Sequence, residues 1–550
     1  MPMRLISGQI VDCRTGRVRA EEVEISDGRI AAIRDAVGKP KTFLLPGFID
    51  AHVHIESSML VPSTFARLAV AHGTVATVSD PHEIANVLGI AGVRYMVGDA
   101  RQAPLKVCFG APACVPATHF ETAGATVTVE EITELLELGE CYYLSEVMNY
   151  PGVLGGDAEM LAKLAAARRL GKPIDGHAPG MRGAACERYF GAMTGITTDH
   201  ECTALDEALH KIACGAKILI REGSAAKNYP ALWTLLKTHP ESVMFCSDDK
   251  HPDDLVAGHI NELATRALRD GAPLANVLRA ACVNPVEHYG LPVGLLRVGD
   301  PADFIEVDSL KDFTGRHVLR TFINGEVVAE RGVALFPVTQ AGEANVFRAD
   351  RVTAADFALR AGSERVRVIA TDDGQLITRS EEAPATMRDG CAVADAARDI
   401  LKLAVVNRYG TQERPATAFI RGFGIKDGAI ASSVAHDSHN IVAVGTDDAL
   451  LARAVNMVID NRGGLAAVNA GGRELSLPLP VGGLMSTLPG PEVAARYGAL
   501  QAMATAELGS SLKAPFMTLS FMALLVIPSL KLSDRGLFDG TRFEFTSVFV

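Results

Sequence analysis

Short apolar runs alternate with longer stretches of mixed character through the first half of the chain. The runs cover residues 44–50, 74–79, 105–109, 142–145, 173–176, 195–199, 216–220 and 242–247. Each is largely continuous rather than alternating, the pattern of a strand buried on both faces of a parallel sheet. The stretches 62–72, 84–101, 129–138, 157–170, 182–193, 204–214, 229–238 and 253–270 are long enough for helices and mix apolar with polar positions. Eight strand-then-helix units in about 230 residues predict an α/β fold, a closed (β/α)8 TIM-like barrel over residues 46–290, with its site at the C-terminal ends of the strands.

Outside this region the pattern changes to short strands. Residues 1–45 carry turn signals at Arg14-Thr15-Gly16 and Ser26-Asp27-Gly28, and residues 299–307 and 321–328 read as strands, the second through an Asn324-Gly325 hairpin signal. The two flanks, 1–45 plus 291–338, are expected to pair into a small β domain. Residues 339–550 are expected to form a mixed α/β C-terminal domain, with glycine-rich turns at Gly463-Gly464, Gly471-Gly472 and Gly482-Gly483. None of these turns carries the Gly-Lys-Ser/Thr of a phosphate loop.

Composition narrows the function. A chain of 550 residues, 48% hydrophobic, is too long for one ordinary domain and can fill more than one core. The net charge of −12, without a Lys/Arg-rich run, gives nucleic acid or an anionic membrane nothing to bind. A small-molecule substrate is the remaining expectation. The N-terminal residues lack a secretory pattern, and the apolar stretch 516–530 contains Pro528 and is too short to cross a bilayer, so a cytoplasmic protein is expected. Ten cysteines without a Cys-x-x-Cys pair read as buried reduced thiols. The stretch 516–530, read as exposed, points to a subunit interface and hence to a homodimer or higher homo-oligomer.

Five of the apolar runs lead into metal-ligand side chains: His52 and His54, Glu146, His177, His200 and Asp248. On an extended segment residues i and i+2 share a face, so His52 and His54 can reach one ion. Four imidazoles and two carboxylates suit two divalent metal ions, Mn(II), Fe(II) or Zn(II), and water activated as hydroxide for hydrolysis. Asp80-Pro81-His82-Glu83, Glu121 and Arg221-Glu222 stand beside other strand ends. Their plainer readings are an N-capped turn, solvated carboxylates and an arginine paired with a nearby acid. His436-Asp437-Ser438-His439 reads as a surface loop with a hydrogen-bonded His-Asp pair.

The segment Pro46-Gly47-Phe48-Ile49-Asp50-Ala51-His52-Val53-His54 resembles the opening of the amidohydrolase superfamily. Ile55-Glu56-Ser57-Ser58, Asp80-Pro81-His82-Glu83-Ile84-Ala85-Asn86, Met148-Asn149-Tyr150-Pro151-Gly152-Val153, Asp175-Gly176-His177-Ala178-Pro179-Gly180 and Asp199-His200-Glu201-Cys202 narrow the resemblance to adenine deaminases. So do Arg221-Glu222-Gly223-Ser224, His251-Pro252-Asp253-Asp254 and, far downstream, Gly422-Phe423-Gly424, His436-Asp437-Ser438-His439-Asn440 and Gly483-Leu484-Met485-Ser486. The likeness spans nearly the whole chain and is thinnest at residues 1–20 and 340–400.

The resemblance implies hydrolytic deamination of adenine to hypoxanthine and ammonia, a reaction of purine salvage. His52 and His54 would hold one ion, with Asp248 beside it, and His177 and His200 the other. Glu146 would bridge the two where many relatives use a carboxylated lysine; Lys163 and Lys172 fall in the following helix and loop. Hydroxide would attack C6 while Asp248 shuttles the proton to the departing amine. Glu83, Glu121 and Glu222 are the acids available to ring N1, His82 a relay, and Asp80, Glu121 and Glu222 the substrate-binding candidates. The alternative within the superfamily is hydrolysis of a cyclic amide or an N-acetyl sugar. A scaffold that lost catalysis is disfavoured by the intact ligand set.

Overall fold

Eight strands, β1 (Phe48–Val53), β2 (Thr74–Ser79), β3 (Lys106–Ala111), β4 (Tyr143–Val147), β5 (Ile174–Gly176), β6 (Thr198–Asp199), β7 (Lys217–Arg221) and β8 (Val243–Cys246), follow one another in the computed structural model. The first five pair in parallel as one sheet and the last three as another. Backbone hydrogen bonds close both seams. Thr197 N donates to Ile174 O at 3.0 Å beside β5 and β6, and Asp248 N to His52 O at 2.9 Å between β8 and β1. The result is the TIM-like α/β ring. Every residue of β1, β2, β4 and β8 is buried, which is why these segments read as continuous apolar runs.

The helices between strands start where capping chemistry allows. Thr128 opens Val129–Glu137 with a capping box, its hydroxyl accepting from Glu131 N while Glu131 accepts from Thr128 N. Three stretches that the sequence presents as single helices are each two, among them 229–238, which forms Tyr229–Leu232 and Leu235–Thr238. Gly89, at φ +60°, separates His82–Leu88 from Ile90–Ala100, and the fully extended Gly258 separates Pro252–Ala257 from Ile260–Arg269. Glycine takes the first of these conformations without a Cβ penalty, and each turn re-aims the chain.

The structure describes residues 3–224, 226–338, 341–410 and 414–550; residue 339, where the last domain was expected to begin, lies outside them. Two compact units emerge. One comprises Met1–Pro81, Arg94–Cys114 and Thr128–Ala341, the other His82–Val93, Val115–Val127 and Gly342–Val550. In the first, strands from both flanks form one eight-stranded sheet, in which Phe43–Pro46 pairs with Arg4–Val11 on one side and Phe304–Val307 on the other. Its core gathers Val23, Ile25, Ile30, Leu44, Phe304 and Phe322.

The second unit is built on another eight-stranded sheet running from Arg379–Pro384 to Glu474–Pro478, with the helix Asp448–Asp460 packed on it through Leu451, Val455 and Val458. The stretch 516–530 is not exposed as expected: Phe516, Met517, Leu519, Met522, Leu525 and Leu530 are all buried within this unit. The short helix Pro515–Ser520 and the strand Leu530–Ser533 turn most of its apolar residues inward, while Val526 and Ile527 stay partly exposed. Among the described residues no helix is long and apolar enough to cross a membrane.

Candidate metal centre

Strand ends place the candidate ligand side chains. β1 carries His52 inward, and His54 follows two residues on, its Nδ1 hydrogen-bonded to Asp80 O at 3.1 Å so that Nε2 turns to the centre. The two Nε2 atoms lie 3.2 Å apart. Asp248, just past β8, brings Oδ1 to 3.4 Å from His52 Nε2 and 3.1 Å from His54 Nε2. Its φ of +55° is unusual for a residue with a side chain, a local strain of the kind that clusters at functional sites.

Glu146, at the end of β4, stands in the middle. Its Oε1 faces His54 Nε2 at 3.2 Å and His52 Nε2 at 3.8 Å, and its Oε2 faces His177 Nδ1 at 2.7 Å and His200 Nε2 at 3.3 Å. Each oxygen thus serves a different pair of imidazoles. His177 and His200 come from the ends of β5 and β6, and the His200 ring stacks on His52 with centroids 4.1 Å apart. The structure therefore brings His52, His54, Glu146, His177, His200 and Asp248 together.

This donor set fits a divalent metal. Nitrogen and carboxylate oxygen atoms of His52, His54 and Asp248, and again of His52, Glu146 and His200, fall within 4.8 Å of one another. His52 Nδ1 is buried without a hydrogen-bond partner among the described residues, which leaves Nε2 as the ring's polar outlet. Buried imidazoles and carboxylates converging on one point are costly unless a cation or protons sit among them.

Two further charges shape the centre. Glu201, next to His200, sets Oε1 3.4 Å from His200 Nε2 and 3.7 Å from His177 Nδ1. Arg221 closes β7 and spans two acids, with Nη1 2.7 Å from Asp248 Oδ2 and Nη2 3.2 Å from Glu201 Oε2. Burial alone would raise the Asp248 carboxyl, but Arg221, with His52 and His54, holds it well below its ordinary value. Burial is likewise outweighed at Glu201, where Arg221, His177 and His200 hold the carboxyl at about 2. Sequence reasoning gave Glu201 no role and Arg221 only an unnamed acid; the one available signal was their position at strand ends.

The remaining candidates divide. Asp80 accepts from Glu146 N at 3.3 Å through Oδ2 and, through its carbonyl, orients His54. Glu222 follows the inward Arg221 and takes the opposite side. It pairs with Arg266 at 3.0 Å and lines a cavity of about 190 Å³ with Lys227, Lys250, Asp254 and His259, away from the histidine cluster.

Within the second unit, Glu83 and His82 open the helix His82–Leu88. The Glu83 carboxylate is hydrogen-bonded to His436 Nδ1 and His439 Nε2, and His82 Nε2 lies 3.5 Å from Glu83 Oε1 and 3.7 Å from Asp437 Oδ1. His436 to His439 are not a surface loop: their exposures are 3%, 2%, 3% and 1%. A buried Glu83 requires them as partners. Although burial opposes it, the charges of His436, His439 and His82 hold Glu83 well below the ordinary carboxylate value. Glu121 behaves oppositely: burial, with Asp437 beside it, pushes its carboxyl well up.

Residues 43–328 match the amidohydrolase family and residues 375–544 the adenine deaminase C-terminal domain. The chain is 55% identical to the adenine deaminase of Salinibacter ruber over 99% of both chains, and 51% identical to that of Methanosarcina acetivorans over 100% of both. It is 44% identical to the adenine deaminase of Borreliella burgdorferi over 99% of this chain and 100% of the other.

Proposed function

Since this chain belongs to the adenine deaminase family, we propose that it hydrolyses adenine to hypoxanthine and ammonia, water supplying the oxygen that replaces the 6-amino nitrogen. The observation that carries the mechanism is Glu146, whose two oxygens each face a separate pair of imidazoles. We assign His52, His54 and Asp248 to one divalent cation, His177 and His200 to a second, and Glu146 to both. Such cations, Mn(II), Fe(II) or Zn(II) by ligand type, would supply Lewis acidity that makes water a nucleophile near neutral pH.

The chain's own residues do the rest. Asp248, kept ionised by Arg221, accepts the proton of the attacking water and returns it to the amine as the C6–N bond breaks. Arg221 and Glu201 hold that carboxylate and the two distal imidazoles in register. Asp80 fixes the backbone of Glu146. Ring N1 must gain a proton as C6 becomes tetrahedral, and we assign that step to Glu83. Its hydrogen bonds to His436 and His439 fix its carboxylate, with His82 beside it. Glu121, whose carboxyl is pushed well up by burial and by Asp437, is the second acid we assign to the purine ring.

The test is turnover of adenine, adenosine and a dihydropyrimidine side by side by protein loaded with Mn(II) or Fe(II). Ammonia release from adenine is expected; consumption of the cyclic amide alone overturns the assignment. Asp248→Asn is expected to keep part of its metal and lose turnover by several orders of magnitude, and a near-normal rate would remove Asp248 from the chemistry.

A further inference from the structure

On the outer side of the first unit, two helices that follow β5 and β6, Gly183–Tyr189 and Leu205–Ala213, bring soft ligands together. His210 lies in the last turn of the second helix, and Cys214 ends it. The two are four residues apart and share a face, with Cys214 N bonded to His210 O at 3.1 Å. Cys186 arrives from the other helix, fully buried. Both sulfurs and an imidazole nitrogen lie within 4.8 Å of one another, and His210 and Cys214 are partly open to solvent.

The chemistry of this cluster differs from that at the strand ends. Gly183 N donates to His210 Nε2 at 3.0 Å, so that lone pair is engaged, and a metal entering here must take it over from this hydrogen bond. Neither cysteine is in a disulfide. Burial, reinforced by the Cys214 thiol, raises the Cys186 thiol to about 12, so a metal entering here must displace its proton. Zinc–sulfur and zinc–nitrogen bonds of about 2.3 and 2.0 Å put tetrahedral ligands roughly 3.3–3.8 Å apart, which small side-chain rotations reach from the observed spacing.

We propose that Cys186, His210 and Cys214 form a separate thiolate–imidazole site for one soft divalent cation, Zn(II) or its analogue Cd(II), with solvent as the fourth ligand. The site fastens the two helices behind the strands that deliver His177 and His200, and it is structural rather than catalytic. The bland alternative is a packed pair of thiols with a neighbouring histidine. A partly exposed ligand pair in i, i+4 register beside a buried third sulfur favours the metal.

Cd(II) distinguishes the two, because its thiolate complexes show an ultraviolet charge-transfer band that oxygen and nitrogen ligands do not produce. Reduced protein, fully loaded with Mn(II) at the catalytic centre and desalted, is titrated with Cd(II) alongside the Cys186→Ser/Cys214→Ser double variant. The expected result is a band saturating at one equivalent in the native protein, absent from the double variant, which keeps its adenine turnover. Cys202 and Cys246 are present in both proteins, so any contribution from them cancels. A second measurement needs no variant: Zn(II) should slow iodoacetamide alkylation of Cys214 by about tenfold, read by peptide mass spectrometry. The proposal is overturned by a native protein without the band, by an equal band in the double variant, by alkylation indifferent to Zn(II), or by Cys186 and Cys214 recovered as a disulfide from reduced protein.

Discussion

Lys211 tests whether the histidine-bearing strand ends are held by buried charge. Its ammonium is fully buried and hydrogen-bonded to Asp199 Oδ2 at 2.9 Å, Glu207 Oε1 at 2.7 Å and Ala178 O at 2.6 Å. Two of those partners, Ala178 and Asp199, adjoin His177 and His200, and Asp199 also accepts from Ala178 N at 2.8 Å. Lys211→Met leaves two carboxylates in the interior without a cation, which costs about 3–5 kcal/mol. An unfolding entropy near 2.1 cal/mol/K per residue over the first unit's roughly 320 residues gives about 0.7 kcal/mol/K, hence a fall in Tm of about 4–8 °C. Burial alone would lower the Lys211 pKa, but Asp199 and Glu207 raise it above its ordinary value. The native protein's stabilisation is therefore complete below about pH 10.4 and fades only as pH climbs through the folded-state value, whereas the variant regains stability as acid protonates the two abandoned carboxylates. Calorimetry at three pH values, with Lys211→Met/Asp199→Asn/Glu207→Gln as the charge-matched control, reads it out. A single variant melting within about 1 °C of native protein, or a control no more stable than the single variant, refutes the reasoning.

Other consequences are measurable. Glu146→Gln removes the charge that serves both pairs of imidazoles and is expected to lower bound metal by at least about half and abolish turnover, checked by elemental analysis of the purified variant. Burial pulls the Lys531 ammonium down to about 7, with Leu376 O and Phe521 O as its partners at 2.8 and 3.0 Å. The unfolded chain keeps that proton to about pH 10.4, so stability rises with pH between those values; Lys531→Met should melt above native protein at pH 7 with the gap narrowing towards pH 10. Gly463→Ala sets a Cβ 2.3 Å from Gly483 Cα at φ +118° and should cost about 2 kcal/mol or more in denaturant unfolding.

The barrel was legible because strands buried on both faces leave unbroken apolar runs, and because ligands at strand ends stand at the boundary where such runs stop. β6, only Thr198–Asp199, was still visible through its neighbours' spacing. What escaped notice depends on long-range pairing. Arg221 and Glu201 matter through contacts 20 and 27 residues apart, and nothing local distinguishes Arg221 from a solvated arginine. His436 and His439 look like loop residues until Glu83, more than 350 residues upstream, is seen to need both. The stretch 516–530 was misread because hydrophobicity reports a demand for burial and not what satisfies it. Helix breaks at Gly89 and Gly258 were signalled by glycine but outweighed by apolar spacing on either side.

The assignment of residues 82–93 and 115–127 to the second unit has a practical corollary. Ending the polypeptide near residue 341 would strip Glu83 of both histidines, Ile84 of its contact with Gly482, and Gly124 of its contact with Tyr409. Two stretches encoded inside the hydrolase half would then have polar and apolar groups bared to solvent. The C-terminal half is consequently no detachable module: removing it would leave both of these segments to be rebuilt at the same time.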